Sequence, residues 1–147
     1  MAGNRLKYLT PDDWVLIKSK SERRVFKLGD EIIRQGALSD SIFIFRRGEA
    51  SVEVAATNSR AVVATLGRDD ICGDMAFLEK SRATAAVIAR EEEVEVDEIK
   101  AQDLREIFEA FPRLASRFYH SLALILVRRL RDTSKELARE MAQHDRR

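Results

Sequence analysis

Hydrophobic and polar positions along this chain change their period twice, and each change marks a new kind of structure. The first stretch, "TPDDWVLI", reads as a helix start. Thr10 is a good N-cap, Pro11 suits the first helical position, and Asp12 and Asp13 favour the positive end of the helix dipole. Trp14, Leu16 and Ile17 are expected to face a core, and the helix is expected to end near Ser21.

From Arg23 the period shortens. "RRVFKLGDEIIRQG", "SIFIFRRGEASVEVAA", "AVVATLG", "ATAAVIA" and "EVEVDEI" are short segments rich in β-branched residues, several with strict alternation. Val52 and Val54 point one way while Ser51 and Glu53 point the other. Val94 and Val96 alternate with Glu95 and Asp97. Turn residues separate the segments in "LGD", "QGALSDS", "RRGEA", "ATNSRA" and "LGRDD". Many short strands with tight turns predict an antiparallel β-barrel or jelly roll.

After Lys100 the period lengthens again. "AQDLREIFEAF" predicts a short helix, and Pro112 opens a long amphipathic one that runs nearly to the end of the chain. Leu114, Phe118, Leu122 and Ile125 form one apolar stripe, suited to docking on the barrel. Tyr119, Ala123, Leu126, Leu130, Thr133, Leu137 and Met141 form a second, spaced by fours and threes like a coiled-coil seam. Both stripes could belong to one wide intramolecular face. The second continues past the expected edge of the barrel, which favours a homodimer. The chain is thus read as one domain over 1–147, with an N-terminal helix over 1–22, a β-barrel over 23–100 and C-terminal helices over 101–147.

Composition narrows the chemistry. A formal net charge of +1 gives no global reason to expect nucleic acid. Two histidines and one cysteine exclude a disulfide framework and argue against a His/Cys metal cluster, so no metal ligands are assigned. Cys72 reads as a small buried hydrophobe. No nucleophile–base constellation, P-loop or metalloprotease motif is present, so no catalytic residue is assigned and no enzyme is expected. The acidic run in "REEEVEVDEI" reads as a solvated turn and strand face. The alternating charges from Arg128 onward read as a charged helix surface. The N-terminus lacks a long apolar run, and no segment is long enough to cross a bilayer, so a cytoplasmic, membrane-free protein is expected.

The stretch "CGDMAFLEKSRATAAV" places an acid, a helical turn and an arginine close together. With "GDEIIRQG" and "SDSIFIFRRGEASVEV" before it, it resembles the cyclic nucleotide-binding domain family, which includes the sensor domains of catabolite activator protein, protein kinase A regulatory subunits and cyclic nucleotide-gated channels. The motifs occur in the family's order and span most of the chain. The resemblance implies a jelly-roll barrel with an N-terminal helix, a short phosphate-cassette helix and a long C-terminal helix. It also implies a cyclic nucleotide ligand and no further cofactor. Gly73 would let backbone approach the ligand, and the N–H groups of Met75 and Ala76 would point at ribose or phosphate oxygens. Asp74 would accept from the ribose 2′-OH, Arg82 would fork onto the phosphate, and Ala83 and Thr84 would keep the adjacent loop small. Thr133 would read the purine edge from its own subunit and Ser134 from a partner, which favours cAMP over cGMP.

Two departures from the family pattern stand out. The family's usual glutamate is Asp74 here, one methylene shorter. Arg82 falls one position before the family's arginine, at whose place Ala83 stands. It could still enter the pocket, or swing out to solvent. The sequence leaves two main readings open: a cyclic-nucleotide sensor signalling through the C-terminal helix, or a domain of the same fold that dimerises or scaffolds without a nucleotide. A sugar- or metal-binding jelly-roll enzyme is disfavoured by the histidine count. The chain also stops too soon after the long helix for a DNA-binding helix-turn-helix, so direct DNA binding is not expected, and the downstream effector is unknown.

Overall fold

A computed structural model describes residues 5–146. Helix α1, Pro11–Ser19, leads into eight strands: β1 Glu22–Phe26, β2 Glu31–Ile33, β3 Ser41–Arg47, β4 Ala50–Ala55, β5 Arg60–Leu66, β6 Ile71–Cys72, β7 Ala86–Ala89 and β8 Val94–Lys100. A short helix, α2, Asp74–Glu79, sits between β6 and β7, and α3, Ala101–Ala110, precedes the long α4, Pro112–Asp145. The strands form two antiparallel four-stranded sheets, ordered β1-β8-β3-β6 and β2-β7-β4-β5. This is the jelly roll that the alternating segments predict.

The core lies in two layers. Phe43, Phe45, Ala50, Leu66, Val87, Ala89, Val94 and Val96 fill the space between the sheets. Ile42, Ile44, Ile71 and Ile99 face the other way and meet the helices. β3 therefore reads as a continuous apolar run, because both its faces are covered. Leu114, Phe118, Leu122 and Ile125 lie on that helical side of the sheet and are each about 1% exposed. The first predicted stripe of α4 is thus its docking face. The second is not: Tyr119, Leu130, Leu137 and Met141 are exposed, and every described residue of the helix from Arg131 onward faces solvent.

α1 begins as expected. The Thr10 hydroxyl accepts from the Asp13 N–H at 3.1 Å, and the Asp13 carboxylate accepts from the Thr10 N–H at 3.0 Å. It ends at Ser19, two residues before the expected stop, where the Lys20 N–H turns back onto the Ile17 carbonyl and the Ser21 N–H onto that of Lys18. Asp13 does more than cap. It is buried and takes a two-pronged hydrogen bond from Arg117 of α4, at 2.6 and 2.7 Å. That bond, working against burial, holds its carboxyl below the usual range.

The polar alternation hides two buried charges. Asp97 is not part of a solvated face: it is 3% exposed and is clamped by Arg23 at 2.8 Å and Arg46 at 2.6 Å. Burial alone would raise its pKa, but the two guanidinium hydrogen bonds prevail and lower it. Ser51 and Glu53 sit on the side of β4 away from Val52, as expected, yet both are buried under Arg90, which donates to each.

Candidate functional site

The site is built where β6 passes into α2. β6 is held against β3 through the Phe43–Cys72 pair, so the chain leaves the sheet at a fixed point. Gly73 then turns it with φ +85°. A Cβ there would stand 2.4 Å from the Ser41 carbonyl oxygen. Glycine is required twice over, by the left-handed backbone and by this contact. Within the protein itself, the close approach that Gly73 permits is to β3.

α2 is anchored by Phe77, whose ring packs edge-on to Phe108 at 6.4 Å and Phe118 at 6.2 Å. With Phe77 inward, Ala76 is buried, Met75 is 43% exposed, and Asp74 is turned back into the protein at 2% exposure. The helix closes at Lys80, whose left-handed φ of 55° caps it through the Ala76 carbonyl. Lys80 itself stays on the surface.

Asp74 has a partner that sequence reasoning missed. Arg129 of α4 donates from Nη1 to Asp74 Oδ2 at 3.0 Å. The available signal was spacing: Arg129 lies one helical turn before Thr133, on the same face. Its carboxylate partner could not be found from sequence, because the fold alone brings residue 74 to residue 129.

The other predicted residues are more scattered. Arg82 is exposed and donates from Nη1 to the Gly36 carbonyl at 3.0 Å. Its backbone bridges to Leu38, and Ala83 exchanges bonds with the same turn, its N–H to Ala37 O at 2.9 Å and its O from Gly36 N at 2.8 Å. The loop after α2 is thus stitched to the turn after β2. Thr84 is exposed, and Ala83 packs against the inter-sheet core. Thr133 and Ser134 lie on the exposed part of α4. The structure therefore brings Gly73, Asp74, Met75 and Ala76 together with Arg129. It leaves Arg82 on a backbone carbonyl, and Thr133 and Ser134 in solvent.

A buried carboxylate beside a guanidinium offers an acceptor for a hydroxyl and donors for an anion, in one place. Cys72, beside it, is no nucleophile: burial, then the Asp74 charge, pushes its thiol far up. Among the described residues no group of three His, Cys, Asp or Glu is placed to hold a metal ion, and no helix is long and apolar enough to cross a membrane.

A jelly roll with a glycine-led helical turn inserted before its seventh strand, and a long C-terminal helix packed outside it, is the fold of a cyclic nucleotide-binding domain. The pattern of the cyclic nucleotide-binding domain matches residues 23–111, and the chain belongs to that family. It is 34% identical over 137 residues to cyclic GMP-binding protein C of Dictyostelium discoideum, covering 88% of this chain and 5% of that protein. It is 27% identical to the cyclic AMP receptor protein of Thermus thermophilus, covering 88% of this chain and 58% of that one. A 30% identical match to glutaminase 2 of Bradyrhizobium diazoefficiens covers 83% of this chain but only 19% of the enzyme. In three dimensions the chain resembles the crystal structure of Thermus thermophilus catabolite activator protein with a TM-score of 0.77 and 26% identity, over 90% of this chain and 61% of that one. The chain thus spans less than two thirds of each of these proteins.

Proposed function

We propose that this domain senses a cyclic purine nucleotide, cAMP ahead of cGMP, and reports it through α4. The Asp74–Arg129 contact carries the reading, because it joins the cassette to the helix through the residue proposed to hold the ribose. In this reading the ribose 2′-OH donates to Asp74, and the N–H groups of Met75 and Ala76 face the sugar and phosphate. Arg82 exchanges one exposed hydrogen bond to Gly36 for the charge-assisted fork of a phosphate, a stronger contact. Anything that competes for Asp74 changes the hold on Arg129, and through it the position of α4. Signalling then follows from the ligand's differential affinity for two helix positions.

The exposed α4 stripe supports a homodimer in which Thr133 reads the base and Ser134 reaches the partner's ligand. The preference for cAMP rests on this pair, and the curated relatives include both a cGMP-named and a cAMP-named protein. The domain acts as a regulatory module without catalysis of its own, in the cytoplasm, away from membrane and DNA, upstream of an effector of unknown identity. Calorimetric titration with cAMP and cGMP tests this, repeated with Arg82→Ala and Asp74→Asn. Binding that both substitutions weaken supports the assignment. Wild-type binding unchanged by Arg82→Ala would remove Arg82 from the site and keep the sensor.

One observation favours a second reading, a nucleotide-independent dimerisation or scaffold domain. Both groups proposed to hold the ligand already have protein partners, Arg82 on Gly36 and Asp74 on Arg129. No heat with either nucleotide at millimolar concentration would establish that reading.

A further inference from the structure

A cleft of about 580 Å³ opens beside α1, and it shares no residue with the cassette or with Arg129. The stretch from Arg5 to Leu9 forms one side, α1 another, and the face of β1 and β3 a third, with Leu6, Leu9 and Trp14 at its apolar base. Five cations line it: Arg5, Lys7, Lys18, Arg23 and Arg46. Among the described residues, ion pairs to them come from three carboxylates, Asp69, Glu95 and the buried Asp97, fewer than the five cations.

How those carboxylates are used matters more than the count. Asp97 binds Arg23 and Arg46 through their Nε atoms, at 2.8 and 2.6 Å. This fixes both guanidinium planes and leaves their terminal nitrogens over. Those terminal nitrogens have only distant carboxylates: Arg23 Nη1 to Glu95 at 3.6 Å, and Arg46 Nη1 to Asp69 at 3.8 Å. Arg5 Nη2 stands 3.6 Å from Asp69. All three separations exceed hydrogen-bond length, so strong donors converge on the cleft without being spent. Lys7 and Lys18 have no carboxylate partner among the described residues. Arg46 also lies over the Trp14 ring, 5.4 Å from its centre, which fixes it further.

We propose that this cleft is a second ligand site, for a small polyanion of the oligophosphate class. Its volume falls within the roughly 300–1,000 Å³ usual for small-ligand sites. Planar guanidinium forks held in place, with mobile lysines at the rim, suit adjacent phosphate groups that each accept several donors. Cations on three sides of a concavity suit a compact polyanion better than an extended acidic chain.

Trp14 is the sole tryptophan of the chain, so its fluorescence reports on this cleft directly. The protein is titrated with inorganic tripolyphosphate at constant ionic strength, followed by Trp14 emission and by calorimetry. A saturable emission change with matching heat is expected. Lys7→Glu with Lys18→Glu, both on exposed positions, should weaken it by about ten-fold or more while leaving cyclic nucleotide titration unchanged. Absence of saturation at millimolar tripolyphosphate overturns the proposal, as does binding that the charge reversals leave intact. Citrate or a hexaglutamate peptide binding as tightly as tripolyphosphate overturns the phosphate class. The outcome is independent of whether a cyclic nucleotide binds the cassette.

Discussion

The Asp74 carboxylate and the Arg129 guanidinium meet at 3.0 Å although 55 residues separate them along the chain. One belongs to a six-residue helix set into the jelly roll, the other to the long helix packed outside it. If this pair links ligand to helix, Arg129→Ala should uncouple the two events. Ligand would still bind, because Arg129 holds Asp74 and not the ligand in this reading. It would no longer alter amide hydrogen exchange along α4. Equal exchange changes in wild type and variant would show that the link runs elsewhere.

Gly73→Ala should destabilise the fold whatever the ligand. The new Cβ falls 2.4 Å from the Ser41 carbonyl oxygen, at a φ of +85°. Backbone strain of this kind costs about 1–3 kcal/mol, and displacing β3 adds to it. Urea unfolding of the two proteins measures the difference. A loss under about half a kcal/mol would mean that the turn can rearrange freely.

The two stripes of α4 should respond differently to truncation. Leu122→Ala removes a side chain 1% exposed and should cost about 2–5 kcal/mol. Leu130→Asp with Leu137→Asp changes positions 68% and 56% exposed, and should leave the protomer folded while shifting light scattering from dimer to monomer. Unchanged scattering would place any association surface away from this seam.

Acid should loosen the molecule at two buried carboxylates. Asp13 and Asp97 both titrate below their ordinary value of 3.8. Their ion pairs stabilise the fold at neutral pH, and that contribution is lost as pH falls below about 4 and the carboxyls protonate. The thermal midpoint should therefore drop on the acid side, and drop less steeply in Asp13→Asn and Asp97→Asn. An identical acid limb in all three proteins would mean that other carboxylates govern it.

Strand alternation, glycine punctuation and the stripe Leu114–Phe118–Leu122–Ile125 made the barrel and its docked helix legible in the sequence. Each is a short-range pattern with one physical cause, the burial of one face. Asp97 was misread as solvated for the same reason. Alternation says which way a side chain points, but not that Arg23 and Arg46 wait on neighbouring strands to receive it. At the cassette, the turn at Gly73 was visible, and the reason for the glycine, the Ser41 carbonyl, was not. The pairing of Arg129 with Asp74 was invisible because it depends on where a helix thirty-four residues long crosses a loop far away in sequence.

Beyond Leu130, α4 leaves the barrel and runs on with every described side chain in water. A lone helix of about 15 residues is only marginally stable, since its own hydrogen bonds barely offset the entropy of ordering it. The far end of α4 is therefore governed by a helix–coil equilibrium that any companion helix would pull toward order. If the exposed stripe pairs two copies as proposed, helical content should rise with protein concentration, and the tail's secondary structure becomes a gauge of assembly.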